Sequence, residues 1–155
     1  MFARPPPGGT AASARQRTLP GGSKGPGAVE HDDEVFLVVS PAAQHLRTVR
    51  LVTADAGRRA GFTVSQIDDL RIAVDELAQA LIDATDRRLV LRVTVRGARV
   101  VVRGTARRRR SDPPPRLNGV PALIVDAVTD QHDLSHNANE MWFVLSKTAG
   151  EAVSP

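Results

Sequence analysis

The sequence predicts a two-layer α/β (α+β) sandwich, a mixed and mostly antiparallel sheet with three helices on one face. Three observations carry that expectation. A short β-branched run opens the apolar part of the chain. Two long stretches follow with apolar residues every three or four positions, and then two pairs of alternating segments joined by short turns. A chain of 155 residues with 41% hydrophobic content suits one such domain around one core.

Residues 1–30 read as a disordered, basic tail. Pro5-Pro6-Pro7-Gly8-Gly9 and Pro20-Gly21-Gly22-Ser23 offer too few large apolar groups to offset the entropy of ordering. The domain is expected over residues 31–148, and a flexible C-terminus over 149–155. Glu34-Val35-Phe36-Leu37-Val38-Val39 reads as a buried strand. Ser40-Pro41 is expected to open the first helix, because serine is a favoured N-cap and proline fits a first turn whose N–H has no helical partner. Leu46, Val49, Val52, Thr53, Ala56 and Ala60 recur along it at helical spacing, and Gly61 supplies the stop.

Thr63-Val64-Ser65-Gln66 has the capping-box pattern and starts a second helix, with Ile67, Leu70, Val74, Leu77, Ala78 and Leu81 as its core stripe. Leu89 to Arg96 and Arg99 to Arg103 alternate and meet at Gly97-Ala98, which predicts a hairpin. Residues 106–118 read as a loop that carries Arg107 to Arg110 and then Pro113 to Pro115. In such a loop the arginine run is expected to be solvated and mobile. Val120 to Val128 reads as the third helix. Gln131 to His136 and Glu140 to Ser146 read as a closing antiparallel pair, with Trp142 and Phe143 on opposite faces.

Several function classes recede on composition. No apolar run approaches the roughly 18 residues of a membrane span, and no apolar segment of a secretory signal is visible. There is no cysteine for a disulfide or a thiolate site, so a cytoplasmic protein without a membrane partner is expected. The net charge of +4 lies mostly in residues 1–30; the remainder holds 17 basic and 16 acidic residues, which argues against a nucleic-acid partner. His132, Asp133 and His136 suggest a metal cluster, but strand residues four apart lie about 13 Å from each other and cannot share one ion.

Glu76 stands out on the second helix. Its helical neighbours Ile72, Ala73, Gln79 and Ala80 are uncharged, and a partly desolvated carboxylate is a common form of general base. Helical geometry by itself favours the plainer reading, a solvated boundary glutamate beside Arg71 or Arg88. The stretch Leu70-Arg71-Ile72-Ala73-Val74-Asp75-Glu76-Leu77, with Arg58-Arg59-Ala60-Gly61-Phe62 before it, resembles the N-box helix of the GHKL (Bergerat-fold) histidine kinase-like ATPase superfamily, in its RsbW-type branch of anti-sigma factors and serine protein kinases. The element order is similar as well, over residues 34 to 147.

This resemblance implies a single sandwich domain that controls transcription by binding a sigma factor or an anti-anti-sigma (STAS-type) protein in stress-response partner switching. It also implies pairing into a homodimer. Active members bind ATP and Mg²⁺ and phosphorylate a partner serine. By resemblance Glu76 stands at the position of the base, and Ala80 stands where nucleotide-using members carry the asparagine that holds Mg²⁺. Gln79 is one step round the helix, about 100° away. The second family box falls at Val101 to Ala106, with Arg103 about where an aspartate reads adenine and with Gly104 as its single glycine. Arginine has only donors and cannot accept a hydrogen bond from an amino group. The third box, a glycine-rich turn that opens a helix, falls at Leu117 to Ala122 and keeps Gly119.

Glu76, Gln79, Ala80, Arg103, Gly104 and Gly119 are therefore the candidate nucleotide site. With these departures from the family pattern, the expectation is an anti-sigma-factor-like binding module in which ATP and Mg²⁺ bind weakly or not at all. The alternative is an active ATP-dependent serine protein kinase that phosphorylates an anti-anti-sigma factor, with Gln79 or Asp83 taking over the metal. A third reading, from another class, is nucleic-acid binding through the tail and Arg107 to Arg110.

Overall fold

The computed structural model describes residues 33–150. The tail expected over 1–30 lies outside the described residues, as does the C-terminus beyond residue 150. The elements are β1 (Asp33–Val39), α1 (Leu46–Arg59), α2 (Val64–Ala84), β2 (Leu89–Arg96), β3 (Arg99–Arg107), α3 (Gly119–Val128), β4 (Gln131–His136) and β5 (Glu140–Thr148). The five strands form one sheet in the order β1-β2-β3-β5-β4, and every pairing is antiparallel. The mixed sheet expected from sequence thus has no parallel pair among the described residues. Among those residues no helix is long and apolar enough to cross a membrane.

Strand alternation sorts the sheet into two faces. Leu89, Leu91 and Val93 on β2 align through the ladder with Ala106, Gly104 and Val102 on β3, and these with Met141, Phe143 and Leu145 on β5. All of them are buried and face the helices. The stripe expected on α2 is buried as a whole: Leu70, Val74, Leu77, Ala78 and Leu81 have no exposed surface, and Ile67 is also buried. Burying one such aliphatic side chain stabilises the fold by about 1.5–3 kcal/mol. Helix α2 contacts β3, β5, α1 and α3, so it is the central helix of the layer.

Local chemistry sets the helix ends. The Thr63 side chain accepts from the Gln66 N–H and the Gln66 side chain accepts from the Thr63 N–H, the reciprocal box that the sequence predicts. At the end of α1, Gly61 has φ +79°, the Phe62 N–H donates to Gly57 O and the Gly61 N–H to Arg58 O. Those two bonds make a complete Schellman stop, with Phe62 folding back onto the helix. The first helix does not start at Ser40-Pro41, however. Residues 40–42 cross from the sheet to the helical layer, and a 3-10 turn at Ala43–His45 leads into α1. Adjacent layers are about 10 Å apart, roughly the reach of three extended residues, so a helix cannot begin directly at the strand end. Strand β3 also runs on to Arg107, past the Arg103 expected, because β5 continues to pair with it.

Two tertiary contacts stand out, one within the sheet and one between the layers. Gly104 faces Phe143 across the β3–β5 ladder, and a Cβ at 104 would lie 2.7 Å from Phe143 Cζ. Lys147, on the inner face at the far end of β5, donates to the Val128 carbonyl at 2.8 Å and sits 3.7 Å from Asp69. It therefore ties the C-terminus of α3, where a cation is favoured, to α2 and the sheet. Gly104→Ala should destabilise the domain by about 1–3 kcal/mol through overpacking, as read by urea unfolding. Adding Phe143→Leu should recover part of the loss. An unchanged midpoint in the single variant would show that the ring is free to move.

Candidate functional site

The candidate residues on α2 occupy one flank. Glu76, Ala80 and Asp83 follow at separations of four and three, so they lie on successive turns of one side. Glu76 is half-buried and has no ion-pair partner among the described residues. Arg71, a neighbour expected to neutralise it, lies 3.3 Å from Asp68 instead. Ala80 is 7% exposed, so its methyl group is buried in the helical layer. The Gln79 amide donates to Asp83 Oδ1 at 2.7 Å and is engaged one turn further along the helix.

The other three candidates lie on β3 and at the start of α3. Gly104 faces inward beneath Phe143, and its lack of a side chain is demanded by that ring. Arg103 precedes it on the same strand and so points to the opposite face of the sheet, into a small cleft with Arg92, Thr94, Arg96, Val101 and Val144. The thickness of the sheet separates Arg103 from Glu76. Gly119 opens α3 at φ +62°, with no atom near the place of a Cβ, so backbone conformation alone accounts for a glycine there. A cleft of about 390 Å³ opens beside the start of α3, lined by Arg116, Leu117, Asn118, Ala122, Asp126 and His132 among others. Its lining comes from the loop, α3 and β4 and includes no α2 residue.

On β4, His132 and Asp133 alternate to opposite faces. His132 is held locally, with Nδ1 at 3.2 Å from Thr129 Oγ1 and Nε2 at 3.2 Å from Asp126. The arginine run differs from the mobile loop expected. Arg108 donates through its backbone to Asn139 O, and its guanidinium donates to Asn137 O and Asp112 O. Asp112 accepts from the Arg109 N–H at 2.7 Å, which closes a turn. Carbonyl groups at the loop ends thus order a segment whose composition alone reads as solvated.

One ionisable pair escaped the sequence reading. Arg50 on α1 donates to Asp75 Oδ2 at 2.8 Å, while Asp75 Oδ1 is buried without a hydrogen-bond partner among the described residues. Burial raises the Asp75 carboxyl above its ordinary range, against the pull of Arg50 and Arg71. Asp75 and Glu76 are neighbours in sequence, yet a helical step of about 100° sends Asp75 to the α1 seam and Glu76 to the other flank. Only an acidic residue facing an arginine of the preceding helix could have signalled the pair.

No protein-family model matches the chain, and no curated protein does. Among solved structures, its fold is similar to that of the RsbU and RsbW domains of a protein from Mycobacterium tuberculosis, with a TM-score of 0.56 at 17% identity. The likeness covers 75% of this chain and 33% of that one, so the chain spans about a third of the structure it matches. At that identity the likeness shows the fold alone: a two-layer α+β domain of the kind seen in the RsbU–RsbW structure.

The Asp75 carboxyl yields a pH prediction. A carboxyl that binds its proton more tightly in the folded state favours folding as pH falls through the raised value towards the ordinary one, and this contribution is lost as pH rises. Urea unfolding of wild type and Asp75→Asn, followed from about pH 7 to about pH 4, should therefore show their stability difference shifting in favour of wild type as pH falls. The opposite shift would mean that attraction to Arg50 outweighs burial.

Proposed function

We propose that this chain is an anti-sigma-factor-like regulatory module that binds a sigma factor or an anti-anti-sigma (STAS-type) protein and so controls transcription. The observation that supports it is a fold similar to that of the RsbU–RsbW structure, in which the positions that the family resemblance assigns to the nucleotide carry other residues. The methyl group of Ala80 is buried at the metal position and offers no ligating atom to a hard cation. Arg103 offers no acceptor for adenine and lies on the far face of the sheet from Glu76. We infer that the residues present do not fit Mg²⁺-ATP. Control by partner exchange needs only the protein-binding surface, and pairing of two copies is compatible with that role.

A kinase reading would rest on Asp83, which shares the flank of Glu76 and is held by Gln79. Titration calorimetry of the full chain with Mg²⁺-ATP separates the two. Under the binding-module reading no heat of binding appears, and Ala80→Asn does not restore it because Arg103 still stands at the adenine position. Co-purification with the sigma factor and with the anti-anti-sigma protein of the same genome should yield a complex with one of them. Glu76→Ala should change the affinity of that complex by less than about twofold, as for a residue outside the interface. Transfer of phosphate from ATP to a partner serine, abolished in Glu76→Ala, would replace this reading with the kinase.

A further inference from the structure

The outer face of the sheet is strongly cationic. Arg92 and Arg96 on β2 and Arg99, Arg103 and Arg107 on β3 all point away from the helices. At one end of that face two adjoining grooves share Arg87 and Arg107. The first, about 470 Å³, adds Arg88 and Asp86 and has an aliphatic floor of Val38 and Val90, which are 57% and 39% exposed. The second, about 340 Å³, runs on past Arg108 and Arg109 to Asn139.

Charge in these grooves is poorly balanced. Asp86 is the one carboxylate in their linings, 3.6 Å from Arg87 and 3.9 Å from Arg109. Arg88 and Arg107 have no ion-pair partner among the described residues, although Glu140 stands across the ladder from Arg107. The framework beneath them is ordered: the Thr85 hydroxyl donates to Arg107 O, and Arg108 is anchored to the β4–β5 turn. A pre-ordered platform loses little entropy when a partner settles on it.

We propose that this double groove docks an acidic segment of a protein partner, with carboxylates on Arg88 and Arg107 and a branched apolar side chain on the Val38–Val90 floor. The inference rests on the reading of the chain as a module that holds a protein partner. Guanidinium groups take carboxylates in paired, charge-assisted hydrogen bonds. Nucleic acid would use the arginines but leave the valines uncovered, and neither groove offers an aromatic ring on which a base could stack. A second copy related by a twofold axis would set this arginine-rich face against itself, and like charges across an interface are unfavourable.

The test is fluorescence anisotropy of the full chain with a fluorescein-labelled peptide of repeated Glu-Glu-Leu units. A Gln-Gln-Leu peptide, a Glu-Glu-Ser peptide and a short DNA duplex serve as comparison probes. The Glu-Glu-Leu peptide should bind, and added salt should weaken it. Arg88→Gln with Arg107→Gln should cost at least about tenfold in affinity. Val38→Ser with Val90→Ser should cost about threefold or more, and the two altered peptides should bind correspondingly less well. All four side chains are exposed, and matching urea midpoints would show that the variants keep their fold. Tighter binding of the duplex than of the peptide overturns the proposal in favour of nucleic acid, and equal binding of the peptide by the double-arginine variant overturns it outright. A sigma factor or anti-anti-sigma protein held equally by wild type and that variant removes this surface but leaves the functional reading intact. Peptide binding that follows the arginines, with no complex of either protein, removes the functional reading and keeps the surface.

Discussion

The close approach of the Phe143 ring to Gly104 is the contact on which the rest of the domain is built. It sits at the middle of the sheet, where β3 and β5 pair, and it works only because residue 104 lacks a Cβ. The ring fills the inner face there, and Leu70, Val74, Leu77 and Leu81 of α2 complete the same core without exposed surface. A larger residue at 104 would lift the ring and with it the central helix. Interiors are packed too densely to absorb such a shift without strain. The same contact alters how a glycine on β3 is read. Packing accounts for Gly104 in full, so its presence says nothing about a nucleotide.

Small residues extend this close packing to the seam between α1 and α2. Ala54, Ala56 and Gly57 on α1 are buried, and a Cβ on Gly57 would stand 3.1 Å from Ile67. The Schellman stop at Gly61 then turns the chain back within a few residues, so the two helices lie side by side. Within that seam Arg50 and Asp75 form an ion pair in which burial outweighs attraction. The pair is only partly buried, and a pair of this kind contributes little net stability. Lys147 lies on the other side of α2, where it ties Asp69 to the last carbonyl of α3.

Strand alternation divides function from stability. Residues that face the helices are almost all apolar, whereas those that face outward carry arginines interleaved with Phe36, Val38, Val90 and Trp142. Arg92 stacks 4.9 Å from the Phe36 ring centre and pairs with Glu34, so part of this charge is already engaged. Charge left unpaired at one end of the sheet is the basis of the proposed docking surface, and it lies on the face away from the core that sets the fold. The flank of Glu76 belongs to the helical layer, on the other side of the sheet.

The sequence by itself determined the elements and most of the core. Hydrophobic periodicity, the Thr63 capping box, the Gly61 stop and the Gly97-Ala98 turn are local signals, because they arise from backbone conformation and neighbours three or four residues away. The resemblance of the α2 segment to an N-box helix, with alanine at position 80, is likewise legible in residue order alone. Only the tertiary structure decided which candidate positions meet. Arg103 and Gly104 are adjacent in the chain, yet the two-residue period of a strand puts one beneath Phe143 and the other on the far face. The pairing of Arg50 with Asp75, the tie made by Lys147 and the order of the Arg107 to Arg110 segment likewise depend on groups distant in sequence. Periodicity records which way a side chain points. What it meets there is set by the packing of the other elements.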